Sequence, residues 1–122
     1  MHSEPQAIFH RDIRWENVVK SAKDRGRWIL IDWDDASSAP TQAAVHLDKH
    51  NHAPGVFLDG HGGEVDVWGV GLLIVERSRS FASFPLELRT AGKQMQSGEW
   101  DVSESIEKIN SFKDLMKDNR KG

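Results

Sequence analysis

The side chains whose types and spacing suit chemistry fall in a few short segments. The first is His10-Arg11-Asp12-Ile13-Arg14-Trp15-Glu16-Asn17, with a carboxylate and an amide five positions apart. A second carboxylate, Asp32, ends the apolar run Trp28-Ile29-Leu30-Ile31. A third, Asp66, lies inside Val65-Asp66-Val67-Trp68-Gly69-Val70-Gly71-Leu72-Leu73-Ile74, where a buried charge is costly unless something pairs with it. Carboxylates of this kind accept protons and hydrogen bonds, and with amide oxygens they can ligate hard cations. The spacing His46-x-x-x-His50-x-His52 could be offered as a metal site, but surface histidines on a loop are the commoner outcome. The chain has no Cys, which excludes a disulfide framework, thiolate chemistry and a zinc–thiolate site.

The elements that must position these groups are legible in outline. Residues 17–20 and 28–31 are β-type runs separated by Asp24-Arg25-Gly26, and they read as a hairpin. Residues 34–63 read as mostly loop. Residues 64–76 are apolar on nearly every face, the pattern of a buried helix. Residues 86–97 and 103–117 read as further helices. Ser103 is the expected N-cap of the last, with Ile106, Ile109, Phe112, Leu115 and Met116 along one packed side. Trp15, Trp28, Trp68 and Trp100 are read as packing residues. The fold class expected is mainly α with a small β hairpin.

At 122 residues the chain has the length of one domain, 1–122, and its 38% hydrophobic and 29% charged residues are ordinary for a globular protein. A net charge of -3 gives no reason to expect nucleic acid or an anionic membrane as partner. Residues 65–75, the longest apolar stretch, fall short of the roughly 20 a membrane span needs. The first six residues are polar, without the apolar core of a signal peptide. The expected setting is cytoplasmic, with the nucleus not excluded.

The first segment matches the H-R-D-x-x-x-x-N catalytic loop of protein kinases. Leu30-Ile31-Asp32-Trp33-Asp34 resembles the family's D-F-G segment. His52-Ala53-Pro54-Gly55 resembles its A-P-E, and Asp66-Val67-Trp68-Gly69-Val70-Gly71 its D-x-W-S-x-G helix. The four stand in the family's order at the family's intervals. The resemblance covers residues 8 to about 76, and extends to about 118 as later helices. It is similar in detail to divergent kinase-like paralogues of the kind expanded in fungi. The Ile-Asp-Trp-Asp portion is also similar to aminoglycoside and choline phosphotransferases. The resemblance implies the C-terminal lobe of a protein kinase, with ATP and Mg2+ as cofactors. It makes Asp12 the acceptor of the attacking hydroxyl's proton, and Asn17 and Asp32 the metal ligands that also bind the nucleotide. Arg11 would sit beside the activation loop, ready to pair with a phosphate introduced there, with Ser37, Ser38 and Thr41 as candidate acceptors. Trp33 stands where the family packs a Phe. Asp66 would hold the backbone amides of the His10-to-Asp12 loop.

Several positions depart from the family. Arg14 takes the place of the phosphate-contacting Lys, keeping its charge but not its geometry. Asp34 stands for Gly, Asp48 for Thr and Gly55 for Glu. Gly60-His61-Gly62-Gly63 and Gly69-Val70-Gly71 have neither the spacing nor the preceding strand of a phosphate loop. Nine residues before His10 leave no room for the family's nucleotide-clamping N-lobe, so that lobe is expected to be absent. The isolated chain is accordingly expected to bind ATP and magnesium weakly and to be inactive alone. Its partners would be a protein substrate or a partner bearing the missing lobe. A non-catalytic, pseudokinase-like interaction unit is the alternative, and a small-molecule phosphotransferase relative a distant third.

Overall fold

The structure, a computed structural model, describes residues 7–24, 26–80 and 83–121, with side chains as far as Ser111. Its order is β1 (Ile8–Phe9), a 3-10 turn (Trp15–Asn17), β2 (Val18–Lys20), β3 (Trp28–Leu30), β4 (Ser37–Ser38), a second 3-10 turn (Pro54–Phe57), then the helices α1 (Glu64–Ser80), α2 (Leu86–Ser97) and α3 (Val102–Lys121). The molecule is mainly helical with two small antiparallel strand pairs.

β2 and β3 form the expected hairpin, with Val18 opposite Leu30 and Lys20 opposite Trp28. The second pair joins β1 to β4, Ile8 opposite Ser38 and Phe9 opposite Ser37, inside a stretch read as loop. Two-residue strands leave no alternation to detect, and this pairing closes a long excursion of chain.

α1 is the scaffold. It runs four residues beyond the expected end, with Arg77 and Arg79 in its last turn, where cations meet the helix carboxyl end favourably. Its glycines are packing notches. A Cβ on Gly69 would lie 2.7 Å from Ile13 Cβ, and one on Gly71 would lie 2.6 Å from the carbonyl oxygen of Gly92 in α2. The loop before β2 and the helix α2 thus approach α1 almost to backbone contact. Trp15 fastens the hairpin to the same helix by donating from its indole nitrogen to the Leu73 carbonyl at 3.1 Å. Trp28, expected to be a packing residue, is half exposed at 52%, edge-on to Trp15 and with the Lys20 ammonium over its ring at 5.5 Å.

Ala44, Ala53, Val56 and Val65 form a buried cluster, with Leu47, Phe57 and Trp68 packed against it. It anchors the irregular segment 44–57 on the first turn of α1.

α3 corrects two expectations. Its cap is Asp101, whose Oδ1 accepts the Glu104 amide at 2.8 Å, and Ser103 lies within the first turn. An Asp just ahead of the helix competes better for free amides than a Ser already inside it. On the expected packed side Ile106 is 58% exposed, whereas Ser105 is buried. Ile109 is half-buried as expected, so the packed side runs through Ser105 and Ile109 and leaves out Ile106. Phe112, Leu115 and Met116 lie outside the described side chains. Among the described residues no helix is long and apolar enough to cross a membrane.

Candidate functional site

The loop before β2 is shaped by contacts with three distant segments. Arg11 has φ 73°, a left-handed conformation that costs a side-chain-bearing residue about 1–2 kcal/mol. The Asp66 carboxylate, in the first turn of α1, offsets that cost. Its Oδ2 accepts the His10 amide and its Oδ1 the Arg11 amide, both at 2.8 Å. The carboxylate was expected to be buried and is half-buried.

His10 is fully buried and locks the loop to the end of β3. Its Nε2 donates to the Ile31 carbonyl at 2.9 Å, and its Nδ1 accepts the Asp12 amide at 3.1 Å, a pattern that puts the ring proton on Nε2. The Trp33 ring stands edge-on to it, centroids 4.6 Å apart. Trp33 is itself 50% exposed, so it packs by one edge and is not a core residue.

Asp12 is buried at the centre. Asn17 donates from Nδ2 both to the Asp12 carbonyl, at 2.8 Å, and to its Oδ2, at 3.1 Å. That closes the loop and leaves the Asn17 Oδ1 as its ligating atom. Arg14 brings its Nε to 3.2 Å from Asp12 Oδ1 and 3.7 Å from Glu16 Oε2. The distance makes an ion pair with Asp12, yet that Nε is buried without a properly directed hydrogen bond. We take the contact as Coulombic and the donor as unspent.

Asp32 lies next to this group through the backbone. The Ile31 amide donates to the Asn17 carbonyl at 2.8 Å, and Asp32 follows at φ 61° with an exposed side chain. Asp is among the few residues that adopt this conformation readily. Asn17 and Asp32 offer two hard oxygen donors of the type magnesium takes. Among the described residues no group of three or more His, Asp or Glu side chains gathers around a metal position. Two such donors would leave an ion's remaining positions to water and phosphate, and do not make a closed protein cage.

The three loop histidines do not converge. His46 pairs with Asp35 at 2.6 Å, while His52 is buried and reaches Asp12 Oδ1 from its Nε2 at 2.5 Å. Sequence reasoning weighed His52 only as a metal ligand or a solvated loop side chain, and it is neither. The one signal was a His directly ahead of Ala53-Pro54, which does not reveal where the ring points.

Arg11 meets the segment it was expected to sit beside, through backbone carbonyls. Its Nε donates to the Asp35 carbonyl at 2.6 Å and its Nη1 to the Gln42 carbonyl at 3.0 Å. The following segment is thus fastened without a phosphate. Thr41 is buried with its hydroxyl donating to the His61 carbonyl at 2.5 Å, which removes it as a phosphate acceptor. Ser37 and Ser38 are half-buried in β4.

A cavity of about 680 Å³ lies among β1, α1 and α3, lined mainly by apolar side chains such as Phe9, Val67, Val70, Met95 and Ile109. Asp66 borders it, but Asp12, Arg14, Asn17, Asp32 and His52 do not. The chemistry-bearing cluster is therefore separate from this cavity.

No protein-family model and no solved structure matches the chain. Among curated proteins it is similar to Crinkler effector protein 8 of Phytophthora infestans, with 45% identity over 70 residues. That match takes in 54% of this chain and 12% of the relative's length.

Proposed function

We propose that this chain is the acceptor-side part of a phosphoryl-transfer site of protein-kinase type, a C-terminal-lobe-like unit that acts on protein hydroxyls in the cytoplasm. The observation that carries the reading is the Asp66 carboxylate drawn across the His10 and Arg11 amides, with Asn17 closing the same loop on Asp12. A carboxylate held so firmly suits a group that must meet a hydroxyl at fixed geometry, since a proton acceptor works only within hydrogen-bond reach.

On this reading Asp12 accepts the hydroxyl proton. Arg14, whose Nε is buried without a hydrogen bond, spends that donor on the phosphoryl group in transfer. Asn17 Oδ1 and the Asp32 carboxylate would hold magnesium. Magnesium-bound ATP would supply the phosphoryl group and neutralise its charge. Arg11, His10 and Asp66 hold the loop, and Trp33 edges against His10. Partners would be a protein substrate and the nucleotide-clamping lobe of another segment or chain.

Phosphoryl transfer depends on alignment, and well-oriented reactants gain roughly 7–11 kcal/mol over unpositioned ones. Losing half of that, about 4 kcal/mol, lowers the rate by about three orders of magnitude at about 1.36 kcal/mol per tenfold. The 122-residue chain alone is therefore expected to transfer phosphate from ATP far below the ~1–100 s⁻¹ of kinases. The test joins a kinase N-lobe ahead of Met1 and measures phosphate incorporation into generic protein substrates. Transfer that appears in the fusion and disappears with Asp12→Ala supports the proposal. A folded fusion that binds ATP but shows no Asp12-dependent transfer refutes it. That outcome would favour a second reading, a non-catalytic interaction unit, for which the near-complete burial of the Asp12 side chain (5% exposed) already speaks.

A further inference from the structure

We propose that His52 is the positioning residue of the Asp12 carboxylate, reaching it from the segment after β4 and not from the loop that carries Asp12. The catalytic consequence rests on the phosphoryl-transfer reading above; the positioning itself does not.

The His52 ring is a bridge with both ends occupied. Its Nδ1 lies 2.7 Å from the Asp48 carbonyl and its Nε2 2.5 Å from Asp12 Oδ1. The two side chains are 3% and 5% exposed. A carbonyl only accepts, so Nδ1 carries a proton and donates it to Asp48, and one further proton lies between Nε2 and Oδ1. With both nitrogens engaged, neither faces an incoming hydroxyl. His52 is therefore not the base with Asp12 as its orienter; the roles run the other way.

The bridge has a rigid abutment. Asp48 Oδ1 accepts the His50 amide at 3.0 Å, its Oδ2 accepts the Asn51 side-chain amide at 3.2 Å, and its carbonyl accepts the Asn51 amide at 3.3 Å. Directly after His52, Ala53 and Val56 enter the buried cluster with Ala44 and Val65. The ring is thus gripped by a closed turn on one side and by core packing on the other.

On Asp12, Oδ1 meets His52 and Arg14 while Oδ2 meets Asn17. A carboxylate has about four lone-pair directions. Two are directed at protein donors, His52 on Oδ1 and Asn17 on Oδ2, while Arg14 lies against Oδ1 without a directed bond, so Oδ2 keeps a free direction. Holding Oδ1 with His52 and Oδ2 with Asn17 fixes the carboxylate plane, and with it the side from which a hydroxyl can be received.

The test uses the isotope-labelled chain and nuclear magnetic resonance. Asp12 is expected to occupy one χ1 rotamer, read from three-bond couplings. H52A should average the Asp12 rotamers, and H52Q, whose amide can still donate to Oδ1, should restore a single one. Protection of the His10 and Arg11 amides held by Asp66 reports that the loop remains folded. A single Asp12 rotamer persisting in folded H52A overturns the proposal. If H52A does not fold, H52N carries the test: its amide can reproduce the Nδ1 bond to the Asp48 carbonyl but is too short to reach Oδ1, so Asp12 should average its rotamers, and a single Asp12 rotamer in folded H52N overturns the proposal. In an active N-lobe fusion, H52A should lower kcat about tenfold or more, part of the ~10²–10⁴ that proton transfer contributes. KM for ATP should change little, and H52Q should recover most of the rate. Unchanged kcat overturns the proposal. A fusion dead in its unmutated form counts against the phosphoryl-transfer reading and leaves His52 to be decided by the Asp12 rotamers.

Discussion

Replacing Asp66 by Ala removes the acceptor of two backbone amides at once, those of His10 and Arg11. Each buried donor left without a partner costs roughly 1–3 kcal/mol, and the lower half of that range applies because the contacts are only partly buried. The carboxylate also sits in the first turn of α1, where a negative charge contributes about 0.3–1 kcal/mol through the helix dipole. Against this, Ala is the better helix former by up to about 0.7 kcal/mol. The net loss is about 2–4 kcal/mol. For a domain of this size that is a fall in Tm of about 8–16 °C, at about 4 °C per kcal/mol. Asp66→Asn keeps one carbonyl oxygen for one amide but turns an NH2 toward the other, so it should lose somewhat less. Thermal unfolding followed by circular dichroism measures both, and amide exchange at His10 and Arg11 shows where the loss falls. A Tm within about 2 °C of the parent for Asp66→Ala, at the same 4 °C scale, would refute the claim that this carboxylate holds the loop.

Gly71→Ala should cost about 1–3 kcal/mol or more by overpacking, because its Cβ would lie 2.6 Å from the Gly92 carbonyl oxygen. Gly98→Ala meets no atom within 4 Å and should lose only about 1 kcal/mol, from its φ of 81°; denaturant midpoints rank the two. Asp101→Ala should cost about 1 kcal/mol as a lost cap, whereas Ser103→Ala should be close to neutral, and reversal of that order in thermal melts would restore Ser103 as the cap. Arg11→Lys cannot span the Asp35 and Gln42 carbonyls with one ammonium. Losing about 1 kcal/mol there should speed amide exchange at Ser38 several-fold without altering the fold.

The local parts of the molecule were readable and the long-range ties mostly were not. α2 was expected at 86–97 and lies there, because a Pro precedes it and Gly98 ends it in the left-handed conformation. The β2–β3 hairpin followed from two β-type runs around Asp24 and Gly26, and Asp66 was suspect because a carboxylate in an apolar helix needs a partner. The β1–β4 pair was invisible because each strand is two residues long. The packed stripe of α3 was read correctly at Ile109 but misread at Ile106, where the polar Ser105 is the residue turned inward. Gly69 and Gly71 were recognised as no phosphate loop, but their use as contact notches depends on what α1 meets. His52 was misjudged for a related reason: residue type shows what a side chain can donate, and only the fold shows to whom.

The ties that matter all end on residues 10–12. Asp66 from α1 holds the amides of His10 and Arg11, the Ile31 carbonyl holds the His10 ring, and His52 holds the Asp12 carboxylate. Arg11 returns the favour by holding the carbonyls of Asp35 and Gln42. A loop with a left-handed Arg is strained by itself, and each tie alone is worth little more than that strain. Because the partners belong to separate segments, the loop takes its shape only when α1, the end of β3 and the turn at Asp48 are all in place. Coupling of this kind makes the effects of neighbouring substitutions non-additive. Damage to the turn at Asp48 should therefore be felt at Asp12 through His52, although Asp48 is not among the residues that contact it.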